Sequence, residues 1–274
     1  MMTESHRELF NLNDRVALVT GGGGILGPHL AAGLADFGAD VAIVDINTDR
    51  AEEVATMLAE RSGRRVVAVG CDVTDPASVQ QMVETVEADL GPVDILLNNA
   101  AGKGRDLEAF FASTEDYALE TWREISAVNL DGLFLVAQQV GGRMATRGRG
   151  SIVQTSSIYG LMAPDNRIYE GSFYLGRRIG TPAVYSATKA GVIGLTRYLA
   201  TYWAEQGVRV NCLVPGGIES GQNDTFKQRY GARVPLGRMA RAEEMVGAVV
   251  YLASDAASYV TGQVLAVDGG LSAW

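Results

Sequence analysis

The sequence is poor in the residues that build disulfide frameworks and metal sites. Its 274 residues include two cysteines, Cys71 and Cys212, and two histidines, His6 and His29, and these four do not cluster. Cys/His metal sites and disulfide scaffolds need such residues grouped at short spacing. We therefore predict no metal site, and we expect both cysteines, which lie in apolar runs, to be small buried hydrophobic residues.

Positive charge and long apolar runs are also scarce. There are 23 basic residues against 32 acidic ones, for a net charge of -9, whereas non-specific nucleic-acid binding depends on a basic surface. No apolar run reaches the ~18 residues of a membrane helix, and the polar segment from Met1 to Asp14 lacks the apolar centre of a signal peptide. We therefore expect a cytoplasmic protein with no nucleic-acid or membrane partner.

Alternation of short apolar runs with helical patterns is the feature that the sequence does have. The runs are typical of buried parallel strands and cover residues 15–20, 40–45, 65–70, 93–97, 151–157, 208–214 and 263–267. Helices are predicted at 28–37, 48–61, 76–90, 118–146, 185–205 and 241–253. This alternation predicts an α/β Rossmann fold in one domain over residues 1–274, with a seven-stranded, doubly wound parallel sheet between helices. Residues 1–13 are predicted to be a lead-in.

A glycine-rich turn, Gly21 to Gly27, stands between the first strand and the first helix. Glycines there let the backbone approach a pyrophosphate and place it at the helix N-terminus, although a mobile glycine turn is the alternative. Asp45 closes the second strand, where a carboxylate can bind the adenosine ribose hydroxyls and repel a 2′-phosphate. We therefore predict NAD as the cofactor in preference to NADP, with Arg50 close enough to leave NADP open.

The segment Tyr185-Ser186-Ala187-Thr188-Lys189 places a phenol and an ammonium group one helical turn apart. A phenol with a pKa near ~10 is a poor base at neutral pH, and a nearby cation favours the phenolate and lowers that pKa. The pair is therefore a candidate general base. Taken alone, the same spacing also occurs by chance on many helices.

Two segments depart from the regular alternation. Residues 160–183, rich in glycine, proline and aromatic residues, form a long loop before the Tyr185 helix, and residues 219–240 form a second, with a polar, mobile lid predicted over 221–240. Long ordered loops are usually functional, so we predict that both lie on the substrate side of the site. A surface insertion or a subunit contact is the alternative for 160–183.

Together these residues resemble the short-chain dehydrogenase/reductase family, in its compact single-domain branch. The resemblance extends from about residue 14 to residue 270. It is carried in order by Thr20 with the glycine turn, Asn98-Asn99-Ala100, Asn129, Ser156-Ser157, Tyr185 with Lys189, Pro215-Gly216 and Val267-Asp268-Gly269-Gly270.

The resemblance implies a role for each matched residue. Tyr185 is expected to be the acid/base, and Lys189 to lower its pKa and hold the nicotinamide ribose. Ser157 is expected to hydrogen-bond the reacting oxygen, and Asn129 to anchor a water in a proton relay, unless it is an ordinary polar residue of a helix. The remaining cofactor-binding residues implied are Gly21, Gly24, Ile25, Gly27, Asp45, Asp72, Val73, Asn98, Ala100, Pro215, Gly216, Ile218 and Ser220.

Within that set the expected contacts differ. Asp72 and Val73 are expected to flank the adenine, although Asp72 could be a plain turn residue. Asn98 and Ala100 are expected to line the ribose. Ile218 and Ser220 are expected to hold the carboxamide of the nicotinamide.

The sequence departs from the family pattern in three places. Ile25 stands where the compact branch usually has glycine, which affects the path of the phosphate loop, and Ala101 replaces another usual glycine. Ser157 and Tyr185 are also further apart than usual because of residues 160–183, and such an insertion is compatible with an intact site because loop closure entropy grows slowly with length. The pattern of this loop resembles bacterial members in surface-sugar pathways such as flagellin modification.

The predicted function is therefore an oxidoreductase that interconverts a secondary alcohol and a ketone by hydride transfer to or from NAD(P). A sugar or sugar derivative is a possible substrate class. Two alternatives stay open: a catalytically silent NAD-binding sensor or scaffold, and a redox-neutral epimerase or lyase that uses bound NAD. The resemblance also implies a homo-oligomer, commonly a tetramer, in which the apolar segment from Val264 to Trp274 could lie in an interface.

Overall fold

Seven parallel strands form the central sheet of a computed structural model that describes residues 5–174 and 177–274. Every neighbouring pair of strands in this sheet is parallel, in the order β3-β2-β1-β4-β5-β8-β9. This confirms the predicted α/β Rossmann sheet. The strands are β1 Val16–Thr20, β2 Asp40–Asp45, β3 Val66–Gly70, β4 Ile95–Asn98, β5 Gly150–Thr155, β8 Val208–Pro215 and β9 Val264–Val267.

Helices cover both faces of the sheet because the side chains of each buried strand alternate between the two faces. Leu18 of β1 and Leu96 of β4 join the apolar cluster with α3, α6 and the end of α7, whereas Val19 and Leu97 join the cluster with α1, α2 and α9. The helices are α1 Gly27–Asp36, α2 Thr48–Ser62, α3 Pro76–Asp89, α4 Leu107–Phe110, α5 Leu119–Ser126, α6 Leu133–Arg147, α7 Ala183–Tyr202, α8 Asp224–Gly231 and α9 Val246–Ala253.

The glycine turn folds tightly between β1 and α1. Gly21 has a φ of +64°, in the left-handed region that glycine adopts most easily. A Cβ on Gly27 would collide with the carbonyl oxygen of Gly21, so the first turn of α1 packs directly on the end of β1. The turn therefore holds the start of α1 at the carboxyl edge of the sheet.

The predicted helix over 118–146 is present, and it contains a turn that its sequence does not predict. It consists of α5, a π-helical segment over Ala127–Gly132, and α6. The fully buried Asn129 lies in this segment, and its amide side chain accepts from the backbone N–H of Gly102 (2.7 Å) and donates to the carbonyl of Gly102 (3.2 Å). π-Helical turns often occur at functional sites, and here the turn brings Asn129 to the chain that follows β4.

The two predicted loops contain more regular structure than their sequences indicate. Within 219–240, the short helix α8 begins at a side-chain cap, where Asn223 Oδ1 accepts from the backbone N–H of Phe226 (2.8 Å). Within 160–183, a 3₁₀ turn covers Asn166–Tyr169, and two-residue strands, β6 Phe173–Tyr174 and β7 Arg177–Arg178, pair antiparallel. Residues 175–176 of the predicted loop lie outside the described part.

Candidate active site

A large cleft runs along the carboxyl ends of β1, β2, β5 and β8. Its volume is about 710 Å³, within the range typical of small-molecule and cofactor sites. Parallel α/β sheets bind their ligands at this edge. One end of the cleft is formed by the glycine turn, its middle by Ser157, Tyr185 and Lys189, and its other end by side chains of residues 160–183 and of α8.

The glycine-turn end has the features that a dinucleotide pyrophosphate needs. Gly21, Gly23 and Gly24 line the cleft, so the backbone is open to close approach. The first turn of α1 has no side-chain cap, and its free N–H groups and positive dipole end suit an anion. Ile25 is 59% exposed at the rim of the cleft, so its side chain leaves this end open.

Asp45 is held rigidly at the end of β2. Its two carboxylate oxygens accept from the backbone N–H groups of Gly23 (3.0 Å) and Asn47 (3.0 Å), and the residue lines the cleft. The Arg50 guanidinium, which lines the same region, pairs with Glu53 at 2.7 Å. The adenosine end of the cleft therefore carries a fixed negative charge beside a cation that already has a partner.

The Ser157, Tyr185 and Lys189 side chains meet in the middle of the cleft. The Tyr185 side chain lies close enough to Ser157 for the serine to lower the Tyr185 pKa, although these residues are separated by the whole of 160–183. The Lys189 ammonium lies 5.9 Å from the centre of the Tyr185 ring and donates to the carbonyl of Thr155 at 3.0 Å. The loop insertion thus leaves the predicted phenol near the predicted serine.

The protonation of this pair differs from the simple expectation that the cation lowers the Tyr185 pKa. Burial raises the pKa of Tyr185 above its ordinary value and outweighs the lowering effect of the nearby Ser157. Burial also lowers the pKa of Lys189 from 10.5 to about 8. Lys189 is buried and Tyr185 is half-buried, and each group is driven toward its neutral form.

Several predicted cofactor residues lie behind the wall of the cleft. Asn98 is fully buried, accepting from Thr20 Oγ1 (3.3 Å) and donating to the carbonyl of Leu133 (2.7 Å). Ala100 is buried and donates its N–H to Thr20 Oγ1 (3.1 Å). Their neighbours Asn99 and Ala101 are the residues of this segment that line the cleft.

Asp72 and Val73 follow the end of β3. Asp72 Oδ1 accepts from the Thr74 N–H (2.9 Å) and hydroxyl (2.7 Å), an arrangement that turns the chain. Val73 packs against Gly132 of the π-helical segment, where an added Cβ would lie 2.8 Å from Val73 Cγ2. In this structure both residues support the strand end from outside the cleft lining.

The segment after β8 lies against the cleft as predicted from its sequence position. Pro215, Gly216, Ile218 and Ser220 all line it. The segment is anchored from α8, because the backbone N–H of Gly217 donates to the Tyr230 hydroxyl at 2.5 Å. Tyr230 was missing from the predicted site, since its sequence neighbourhood is polar and carries no motif.

The far end of the cleft is aromatic and rich in hydroxyl groups. Tyr159, just before the predicted loop, and Tyr169 within it line this end together with Phe226 and Tyr230 of α8, and the rings of Tyr169 and Phe226 are 5.3 Å apart. Burial raises the pKa of Tyr230 to about 12, so its hydroxyl stays protonated at physiological pH. This end can therefore offer neutral hydrogen-bonding groups on apolar walls.

In the described residues 5–174 and 177–274, no group of three or more His, Cys, Asp or Glu side chains is arranged to hold a metal ion. No helix in that part of the chain combines the length and apolarity needed to span a membrane.

The fold and cleft define a Rossmann-type α/β protein with a serine, a tyrosine and a lysine in one cleft at the carboxyl edge of its sheet. Comparison with known proteins specifies this further. The family model described as enoyl-(acyl carrier protein) reductase matches residues 24–272. The chain belongs to the short-chain dehydrogenase/reductase family, whose members similar to it are oxidoreductases.

The similar proteins include enzymes named for sugar acids and polyols. A gluconate 5-dehydrogenase of Gluconobacter oxydans is 36% identical over 274 residues, covering 98% of each chain. A D-threitol dehydrogenase of Mycolicibacterium smegmatis is 36% identical over 271 residues, covering 95% of this chain and 94% of its own. The crystal structure of a Burkholderia cenocepacia gluconate 5-dehydrogenase with NADP and tartrate matches with a TM-score of 0.86 at 34% identity, over 98% of this chain and all of the other.

Proposed function

We propose that the protein is an NAD(P)-dependent oxidoreductase that interconverts a secondary alcohol and a ketone, with a polyol or sugar derivative as substrate. The observation that carries this proposal is the approach of the Tyr185 side chain to Ser157 and Lys189, in a cleft that is also lined by the glycine turn and by several hydroxyl groups. A proton donor or acceptor at this point can act on the oxygen of a carbon that exchanges hydride with a nicotinamide.

Each of the three residues has a distinct part in the proposed reaction. In the oxidative direction, Tyr185 removes the hydroxyl proton of the alcohol, and Ser157 donates to the same oxygen as negative charge develops on it. The bound dinucleotide supplies the hydride chemistry. The protonated Lys189 would favour the phenolate and hold the nicotinamide ribose, and Asn129 would position a water that passes the proton onward.

The raised pKa of Tyr185 fits a phenol that ionises only in the complex with cofactor and substrate. Desolvation favours the neutral phenol, so the base is generated when opposite charge is brought close to it. We infer that binding of an oxidised, cationic nicotinamide beside Tyr185 lowers this pKa. Activity in the oxidative direction should then increase with pH as the phenolate becomes populated.

Asp45 supports NAD as the preferred cofactor. Its carboxylate is fixed by two backbone N–H groups in the position where the adenosine ribose of a dinucleotide lies, and it can accept from both ribose hydroxyls while repelling a 2′-phosphate. The Burkholderia gluconate 5-dehydrogenase structure contains NADP. A preference for NADP is therefore the main alternative to this proposal. Arg50 is the cation that would bind the extra phosphate.

The substrate end of the cleft supports a polyhydroxylated substrate. Tyr159, Tyr169, Thr181 and Tyr230 place hydroxyl groups around it, and Gln222 adds an amide. Buried donors and acceptors discriminate strongly against ligands that leave them unpaired. Two of the similar proteins are named for gluconate and threitol, which are compounds of this kind.

A substrate panel tests the proposal. Polyols, sugar acids, sugar phosphates and simple secondary alcohols would each be assayed at 340 nm with NAD and with NADP, in both directions. We expect reduced cofactor to form with at least one polyol or sugar derivative. Tight NADH binding without turnover would instead favour a silent NAD-binding module, and product formation without net absorbance change would favour a redox-neutral epimerase or lyase.

A further inference from the structure

Three hydroxyl groups form a chain at the substrate end of the cleft. Thr181 Oγ1 lies 2.6 Å from the Tyr169 hydroxyl, and the Tyr169 hydroxyl donates to the Tyr159 hydroxyl at 3.5 Å. All three residues line the cleft. The backbone N–H of Tyr159 donates to Ser157 Oγ at 3.3 Å, and the Tyr159 phenol interacts electrostatically with that of Tyr185, so the chain ends near the proposed acid/base.

One hydroxyl group of this chain keeps a proton that it can donate to a ligand. A hydroxyl group has one proton to donate and two lone pairs to accept with. Because Tyr169 gives its proton to Tyr159, Thr181 must be the donor in the contact between Thr181 and Tyr169. Two of the three protons are thus used within the chain, and the third, on the Tyr159 hydroxyl, is left for a ligand.

The surroundings of Tyr159 make this free donor selective. Burial, followed by the influence of Tyr169, raises its pKa, so the hydroxyl stays protonated. Ser172, also in the lining, is buried, and its hydroxyl has no hydrogen-bond partner. Tyr159 is half-buried in the cleft lining. An apolar ligand that displaces water from its hydroxyl leaves the donor unpaired, whereas a ligand that supplies an oxygen atom replaces the lost hydrogen bond.

We propose that Tyr159 is the specificity-determining residue of this site, donating its hydroxyl proton to a substrate oxygen near the reacting carbon. Tyr169 and Thr181, both within residues 160–183, act as positioning residues that fix the direction of that donor. The insertion between Ser157 and Tyr185 thereby gives the site its preference for polyhydroxylated substrates. This inference rests on the proposed function, since it concerns the substrate of the same site.

The test uses three probes that share a four-carbon chain: D-threitol, butane-2,3-diol in all stereoisomers, and butan-2-ol. The variants are Tyr159→Phe and Tyr169→Phe, which each lose a hydroxyl and keep the ring. The matched control is Tyr259→Phe, at a fully exposed tyrosine far from the cleft lining. Two quantities are measured for each combination of protein and probe. They are kcat/KM for oxidation, and the dissociation constant of the alcohol from the complex of the protein with NADH, in which no turnover occurs.

We expect the wild-type enzyme to prefer threitol and the diol to butan-2-ol by about tenfold or more in both quantities. Tyr159→Phe should remove that preference by weakening the polyhydroxylated probes and leaving butan-2-ol within about twofold. Tyr169→Phe should reduce the preference partially, because the donor remains but loses its fixed direction. Tyr259→Phe should match the wild type.

Three results would overturn the inference: no wild-type preference, a preference unchanged in Tyr159→Phe, or equal weakening of all probes, which is the mark of a merely structural role. Failure of the proposed function gives a different pattern. In that case no probe and no member of the wider panel yields reduced cofactor, while the binding measurements in the NADH complex still decide whether Tyr159 recognises a hydroxyl group.

Discussion

Lys189 is a residue whose protonation is coupled to folding, because its ammonium group is only 2% exposed. Its pKa is lowered from 10.5 to about 8 by burial, so the unfolded chain binds this proton more tightly than the folded one. The free-energy cost of burying the charged ammonium group is fully present below pH 8 and disappears as pH rises to 10.5. Over that range this cost changes by about 3 kcal/mol at most.

We therefore predict that Lys189→Met changes the pH dependence of stability. The difference in unfolding free energy between the wild type and Lys189→Met should move in favour of the wild type as pH rises from 8 to 10.5. Urea unfolding of both proteins across this range, without cofactor, measures it. A constant difference over the whole range would show that Lys189 keeps an ordinary pKa in the folded protein.

Asp45 carries the second prediction at this scale. Replacing Asp45 by Ser removes the fixed carboxylate and keeps a hydrogen-bonding group, so the ratio of kcat/KM for NAD to that for NADP should fall at least tenfold. Arg50→Gln should change this ratio in the opposite direction or leave it unchanged. An enzyme that prefers NADP while Asp45 is intact would contradict the assignment of the cofactor.

The individual site residues differ in how far the sequence reveals them. Ser157, Tyr185 and Lys189 were predicted from local spacing and resemblance, and the structure brings all three together. Tyr230 and Phe226 were not predicted, because they become part of the cleft only when α8 packs on the 160–183 segment. Asn98 was expected beside the ribose, but its position on the inner face of β4 depends on strand register, which its sequence neighbourhood does not specify.

At the scale of elements, α8 and the 160–183 segment are joined into one wall of the cleft. The rings of Tyr169 and Phe226 are 5.3 Å apart, and Arg229 of α8 pairs with Glu170 at 2.8 Å. Arg233, which follows α8, also pairs with Asp165. Exposed ion pairs contribute little free energy, so the buried aromatic contact is the main link.

We predict that Phe226→Ala detaches α8 from this wall. Truncating a buried phenylalanine costs about 3–5 kcal/mol, which a helix of eight residues cannot recover elsewhere. The KM for substrate should rise several-fold, and amide exchange over residues 224–231 should accelerate. NADH affinity should also fall, because Tyr230 of α8 anchors the segment after β8. Phe226→Leu is the matched control and should lie close to the wild type. Slow, unchanged exchange in Phe226→Ala would mean that α8 is held by other contacts.

The elements that the sequence did not predict share a physical cause. The π-helical turn around Asn129 depends on the contact of its amide with Gly102, a tertiary interaction that leaves no periodic signal. Helix α8 is short and polar, so its apolar contacts through Phe226 and Tyr230 are too few to show an amphipathic pattern. The buried strands, by contrast, were predicted within about two residues because their apolar runs are continuous.

For the whole molecule, we propose that residues 1–274 form one domain. The seven strands make one sheet whose two faces are covered by helices from both halves of the sequence, so neither half can bury its apolar surface alone. Helix α9, near the C-terminus, packs with α1 against β1. Removal of either half should therefore leave an unfolded chain.

We also predict a homotetramer. Tyr198 and Tyr202 stack on the outer face of α7 and are each about three-fifths exposed, and β9 is the edge strand of the sheet beside the exposed Trp274. Light scattering should give a mass near four times the 29.1 kDa of the chain. Replacing both Tyr198 and Tyr202 by Glu should lower that mass, and a monomeric wild type would refute the prediction.

In the proposed reaction, Tyr185 exchanges a proton with the substrate, whereas binding of the cofactor does not depend on the Tyr185 hydroxyl. The most direct measurement is therefore the turnover of Tyr185→Phe beside its affinity for NADH. We predict that kcat falls by about a hundredfold or more, while the dissociation constant of NADH stays within about twofold of the wild-type value. Turnover close to that of the wild type would contradict the role of Tyr185.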